Sequence, residues 1–371
     1  MATMTTDVTA PTRTLRAGFV GGGFMAAVHS RAARAAQAEL RGGASSTADR
    51  ARDAVRRLGL GSSYDSVEAL LADPEIDVVH VCTPNTTHAA IARAALEAGK
   101  HVICEKPLAT STADAAALAA LADERGLVAA VPFVYRFHPM AREARARIAR
   151  GEAGRLLSVQ GAYLQDWLSA PFDDDWRVDT ALGGPSRAFA DIGSHLVDLL
   201  EFVSGERIRR LNASSRTVYE ARARHDDIAT EDLVAAVVEF ESGAVGTLLV
   251  SQVAPGRKNA LTIELSGTEA SVRFEQERPE TLWIGRTDAS SVIERDQARL
   301  ADDAARLSIV PAGHPMGYQD AFNAFVADAY AAIGGDRPEG LPRFDDGLRA
   351  VRVTEAVLAS AASGNWTEVA A

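Results

Sequence analysis

Short apolar, β-rich runs alternate with alanine-rich stretches through the first third of the chain. Leu15–Val20 predicts a strand, glycines follow it, and a helix runs on to about Ala36. Glu39–Ala44 predicts the next strand and Ala48–Leu58 a helix. The run Asp77–Cys82 is almost continuously apolar, the pattern of a strand buried on both faces of a parallel sheet. Thr86–Gly99 predicts a helix closed by glycine, and His101–Glu105 and Val128–Phe133 two further strands. Between those strands Ser111, with Asp114 three residues on, marks a capped helix start, and Gly126 marks its end. Alternation of this kind predicts a doubly wound parallel sheet with right-handed crossovers.

After Pro132 the texture changes. A helix over Met140–Arg150 leads to a β-rich segment, Leu156–Gln165, then to Asp- and Gly-rich loop sequence and a helix near Ser194–Val203. From Ile208 to Ile284 alternating, β-branched runs are separated by turn pairs such as Ser242-Gly243 and Ser266-Gly267, which predicts a mostly antiparallel sheet. Helices over Tyr318–Ile333 and Asp345–Ala361 close the chain. The expected architecture is α/β. It comprises a floppy leader (1–14), a Rossmann-type domain (15–133), and an α+β domain on a large, open, mostly antiparallel sheet (134–371).

Composition narrows the function. With 371 residues, 47% of them hydrophobic, the chain is long enough for about two cores. Lys+Arg 39 against Asp+Glu 50 gives a net charge of −11, which argues against nucleic acid or anionic lipid as partner. No apolar stretch approaches the ~18 residues of a membrane span, and the N-terminus lacks a signal-peptide apolar region, so the cytoplasm is the expected location. Cys82 and Cys104 are too few for a disulfide framework or a four-cysteine zinc site and read as small buried hydrophobes; no metal is expected. Lys100, Lys106 and Lys258 are the only lysines in an arginine-rich chain.

The first chemical motif follows the first strand. Gly21-Gly22-Gly23-Phe24-Met25-Ala26 fits G-x-G-x-x-[G/A]. Gly21 makes the tight turn, Gly23 admits a pyrophosphate, and Ala26 keeps the helix close to the sheet. The N-terminal turn, with Phe24 and Met25, offers unpaired N–H groups to phosphate. About 20 residues on, an acid would bind the adenosine ribose of NAD. Here Ser45 stands at that place, followed by Ser46, and Arg50 suits a 2′-phosphate. These residues favour NADP over NAD, with Asp49 opposing.

Two further motifs give a family likeness. Glu105-Lys106-Pro107 ends a strand, and Asp191-Ile192-Gly193-Ser194-His195 precedes a helix. With the glycine loop they resemble the glucose–fructose oxidoreductase/inositol dehydrogenase (Gfo/Idh/MocA) family over nearly the whole chain. The resemblance implies hydride transfer between a nicotinamide and a secondary hydroxyl of a sugar, glycoside or cyclitol. It also implies a homodimer or homotetramer. An alcohol carbon releases hydride only as its hydroxyl proton is taken, and His195 suits that task around neutrality. Lys106 stabilises the developing alkoxide. Asp191, four residues before His195, orients the imidazole or grips a neighbouring hydroxyl. Asp198 either supports that ring or is a helix-surface residue.

By the same resemblance Thr83-Pro84-Asn85, His88 and Glu105 lie against the cofactor, and Tyr135 and Arg136 line the cleft. Trp176 and Arg177 suit a sugar face and its hydroxyls, or form a packed loop. Tyr163, Gln165, Asp166 and His314 lie in segments similar to those of levoglucosan- and glycoside-oxidising members, which points to a pyranose hydroxyl, at C3 for instance; as loop residues they have an ordinary reading too. Pro185 stands where the family usually has a third glycine. Two alternatives remain: an enzyme that retains its cofactor for redox-neutral sugar chemistry, and a non-catalytic dinucleotide sensor.

Overall fold

A computed structural model describes residues 14–370, so all but the last residue of the expected leader lies outside the described residues. Six parallel strands form the first sheet: β1 (Arg16–Val20), β2 (Glu39–Ala44), β3 (Ser62–Ser63), β4 (Val78–Val81), β5 (His101–Cys104) and β6 (Ala129–Ala130). Their order, β3-β2-β1-β4-β5-β6, reverses direction at β1/β4, which opens a ligand crevice at the carboxyl ends of the strands. Local signals act where expected. Ser111 accepts a hydrogen bond from the Asp114 N–H at 3.2 Å, and Gly126, at φ 61°, ends that helix. Strand β6 is shorter than its apolar run because the chain leaves the sheet at Val131, whose N–H turns to the Pro342 carbonyl at 3.1 Å.

The second sheet has nine strands: β7 (Leu156–Leu164), β8 (Ile208–Arg216), β9 (Leu233–Phe240), β10 (Val245–Ser251), β11 (Ala260–Gly267), β12 (Ser271–Glu275), β13 (Thr281–Gly285), β14 (Ser290–Glu294) and β15 (Thr367–Glu368). All its pairings are antiparallel except β7 with β10. One face is covered by the helix Ser194–Ser204, whose Leu196 and Leu200 pack in the core with Val159, Val238 and Leu248.

The closing helices return to the first half. Phe322, Phe325, Val326 and Ala329 of the helix Tyr318–Ile333 share a core with Val28 and Ala32 of the helix Phe24–Ala35. In the helix Phe344–Ser363, Leu348 and Val351 join the core with Leu118, while Val353 and Val357 join that of the large sheet. This helix wedges the two halves together.

Candidate active site

The glycine loop is built to approach an anion. Gly21 has φ 105°, and a Cβ there would stand 2.3 Å from the Cys82 carbonyl oxygen, so the turn admits only glycine. A Cβ on Gly23 would meet nothing within 4 Å. Gly23 also caps the helix Phe24–Ala35 without a side-chain hydrogen bond, so no capping side chain occupies its first N–H groups. Ala26 is fully buried, as close helix–sheet contact requires. These features fit a dinucleotide pyrophosphate. At the end of β2, Arg50 donates to the Ser46 hydroxyl at 3.0 Å, whereas exposed Asp49 pairs with Arg52. Arg57 reaches the loop itself, donating to the Gly22 carbonyl at 2.6 Å.

Lys106 follows β5, and the Lys106–Pro107 peptide is cis. Its ammonium donates to the Asp191 carbonyl at 2.8 Å and to Asp191 Oδ1 at 2.6 Å. The first half of the chain is thus joined to the second at one carboxylate. Arg177 Nε lies 3.4 Å from the same oxygen, and Gln252 Nε2 donates to the other at 2.8 Å. Burial alone would raise the affinity of Asp191 for a proton. The Lys106 and Arg177 charges overcome it and hold the carboxyl well below the usual range.

Asp191 does not grip His195 as one turn of α-helix predicts. Phe189–Gly193 is a π-helical turn leading into the helix Ser194–Ser204, and a Cβ on Gly193 would meet the Phe189 ring at 2.6 Å. Wide turns of this kind recur at functional sites. The His195 ring lies edge-on to Tyr135 and Phe133, at centroid distances of 5.0 and 5.7 Å. Its buried Nδ1 has no partner among the described residues. Burial and the Lys106 charge, against Glu105 and Asp191, bring the imidazole down to about 3, so it is neutral at physiological pH. The sequence suggests an ordinary histidine value, and the enclosed position is the reason for the difference.

Other candidates divide. Arg177 is brought to the site and lies over the Trp176 ring at 4.5 Å. Tyr135 borders His195, but its hydroxyl joins the Tyr163 hydroxyl at 2.5 Å. Tyr163 donates onward to Asn259 Oδ1 at 2.7 Å, and Gln165 donates to the same atom at 2.8 Å. Arg136 is not free to line the cleft: its guanidinium is committed to Asp198 and to Asp346, the latter at 2.7 Å. Asp198 therefore supports Arg136 and not His195. Asp166 accepts from Lys258 at 2.7 Å and bridges two loops. His314 is exposed, its carbonyl held by Arg295 at 2.7 Å.

The Thr83-Pro84-Asn85 turn is tied down on two sides. Asn85 donates to the Gly183 carbonyl at 2.9 Å, beside Gly184, whose φ is 90°. His88 places its two ring nitrogens against carbonyl oxygens, Nδ1 at Pro107 and Nε2 at Thr83, each at 2.8 Å. It is a brace between two loops, with no nitrogen left for a ligand. Both cysteines are buried, and burial raises both thiols. Gln252 and Asn259 escape a reading of the sequence, because each is a lone amide among strand residues with partners 61 and 96 positions away. Among the described residues no helix is long and apolar enough to cross a membrane.

Comparison with known proteins agrees with this geometry. A model of an oxidoreductase family with an NAD-binding Rossmann fold, GFO/IDH/MocA, matches residues 15–133. A model of the GFO/IDH/MocA C-terminal domain matches 141–273. Levoglucosan dehydrogenase of Pseudarthrobacter phenanthrenivorans is 32% identical over 96% of this chain and 98% of its own. A structure of levoglucosan dehydrogenase in complex with NADH and levoglucosan superposes with a TM-score of 0.90 at 31% identity, covering 96% of this chain and all of the other. An inositol dehydrogenase homologue from Azotobacter vinelandii, complexed with NADH and myo-inositol, gives a TM-score of 0.85 at 31% identity, covering 96% and 98%.

Proposed function

The chain belongs to the Gfo/Idh/MocA oxidoreductase family, and from that premise we propose that it is an NAD(P)-dependent dehydrogenase of a sugar, glycoside or cyclitol. The carrying observation is the Lys106–Asp191 link between the two halves, made beside a neutral His195. The bound nicotinamide supplies the hydride acceptor or donor. Gly21, Gly23, Phe24 and Met25 hold its pyrophosphate, and Thr83, Pro84 and Glu105 border the crevice on the nicotinamide side. Lys106 spends two donors on Asp191 and keeps the third for the substrate oxygen. His195 takes the hydroxyl proton as negative charge develops. Arg177, Trp176 and Asp191 hold the neighbouring hydroxyls. The likeness to levoglucosan dehydrogenase supports a pyranose ring hydroxyl, at C3 for instance.

A panel of anhydrosugars, pyranosides and inositols with both nicotinamides, read by nicotinamide absorbance, tests this. Turnover of none of them, with tight dinucleotide binding, would return the weight to a retained-cofactor enzyme or a sensor. For the cofactor, Ser45, Ser46 and Arg50 support NADP over NAD, since Asp49 is engaged by Arg52. Arg50→Ala is expected to weaken NADP binding at least tenfold and NAD binding less than twofold, by titration calorimetry. Equal loss of both would reject the assignment.

The outer face of the large sheet supports self-association. Val237, Val245 and Leu249 expose 45%, 51% and 43% of their surfaces on the same face of neighbouring strands β9 and β10. The wild type is expected to be a dimer or tetramer, and Val245→Glu/Leu249→Glu a smaller species by light scattering. An unchanged mass would place the contact elsewhere.

A further inference from the structure

Four buried polar side chains touch in series under the helix that follows the glycine loop. The Tyr330 hydroxyl lies 2.8 Å from His80 Nε2, and His80 Nδ1 lies 2.8 Å from His29 Nδ1. His29 Nε2 lies 2.9 Å from Glu105 Oε1, and the second oxygen of Glu105 accepts the Lys106 backbone N–H at 3.2 Å. None of the four is more than 6% exposed. They come from four elements: the helix Tyr318–Ile333, β4, the helix Phe24–Ala35 and the end of β5.

With neutral imidazoles and an ionised Glu105 only one arrangement of protons satisfies every contact. Glu105 can only accept, so His29 carries its proton on Nε2 and presents a lone pair at Nδ1. His80 must then carry its proton on Nδ1, which leaves Nε2 to accept from Tyr330. Burial holds His80 well below its ordinary value, so it stays neutral, and burial raises Tyr330, so it keeps its proton. Burial alone would raise Glu105, and the hydrogen bond from His29 and the Lys106 charge act in the opposite direction.

We propose that the two N–H groups meeting on its carboxylate, from His29 Nε2 and the Lys106 backbone, hold Glu105 as a buried anion, and that Glu105 is thereby an electrostatic positioning residue favouring the oxidised, cationic nicotinamide over the reduced, neutral one. Lys106 and Arg177 bring positive charge to the same site, which by itself would repel a cationic ring. Asp191 is committed to both of them, and Glu105 supplies the second buried carboxylate at the carboxyl end of β5. The inference rests on the dehydrogenase reading.

Glu105→Gln isolates the charge, because the line can reverse. A glutamine NH₂ donates to His29 Nε2, His29 Nδ1–H to His80 Nδ1, and His80 Nε2–H to Tyr330, while the amide oxygen still accepts from Lys106. Imidazole ¹⁵N spectra of the full chain should show His29 protonated at Nε2 and His80 at Nδ1, with both tautomers exchanged in the variant. Titration with oxidised and reduced NADP and NAD should show binding of the oxidised forms weakened at least tenfold relative to the reduced. His29→Leu, which strips Glu105 of its donor, should shift the ratio the same way if Glu105→Gln fails to fold. Equal weakening of both forms, an unchanged ratio, or an imidazolium at His29 would overturn the proposal. Failure of the wild type to bind either form would instead overturn the dehydrogenase reading.

Discussion

Replacing Lys106 by alanine is expected to lower kcat/KM by about 10²-fold, the usual cost of one preorganised donor to a developing oxyanion. The effect belongs in kcat more than in KM, because the ammonium is worth most when negative charge is greatest. Asp191 loses a partner at 2.6 Å but keeps Gln252 and Arg177, so the buried carboxylate is not stranded and the variant should fold. Oxidised cofactor should still bind, since the pyrophosphate is proposed to sit on the glycine loop and not on Lys106. Steady-state kinetics with parallel binding titrations check this, and an alanine variant with wild-type turnover would remove Lys106 from the chemistry.

His195→Ala should cost about 10²- to 10⁴-fold in kcat, the range for a positioned proton acceptor. A pH profile separates this role from a packing role. The imidazole is held at about 3, below its ordinary value, so the competent neutral form predominates from there upward. Wild-type kcat/KM should therefore show no acid-side inflection near the ordinary histidine value of ~6.5. An inflection there that disappears in His195→Ala would show that the ring titrates normally, contrary to its enclosure. Linkage gives the sign for stability. Between the unfolded value and about 3 the unfolded chain binds the extra proton, so this contribution is complete above ~6.5 and falls as pH drops through that window. His138, brought down to about 4 by burial, adds to the same loss. Thermal melts should shift down on acidification below ~6.5.

Much of the fold was legible because its signals are local. Strand β2 and the helix Ala48–Leu58 stand where periodicity puts them, Gly21 and Gly126 act through their own backbone, and Ser111 acts through a side-chain cap three residues away. Strand β14 was missed because Ser290–Glu294 is exposed on a sheet edge and carries little alternation. The motifs around Lys106 and Asp191 single out two side chains that the fold brings into contact. The site was misread where a side chain's partner is set by tertiary packing. Arg136 looks like a cleft residue until Asp198 and Asp346 claim it, and His88 looks like a ligand contact until two carbonyls do. No spacing rule announces that His29, His80 and Glu105 meet, since they lie 51 and 76 residues apart.

The return of the closing helices bears on how such proteins can be recombined. A chimera that keeps the first 133 residues and takes the remainder from a relative inherits foreign counterparts of Phe322 and Phe325 against its own Val28 and Ala32. It also inherits a foreign counterpart of Tyr330 against His80. Crossovers that instead exchange only the stretch between the end of the Rossmann strands and residue 318, and leave the tail with its native nucleotide-binding half, preserve those contacts. Substrate preference should then move with the large sheet and its loops, provided the exchanged stretch still matches Lys106 and Asn85 of the glycine-loop half and Val353 and Val357 of the retained tail.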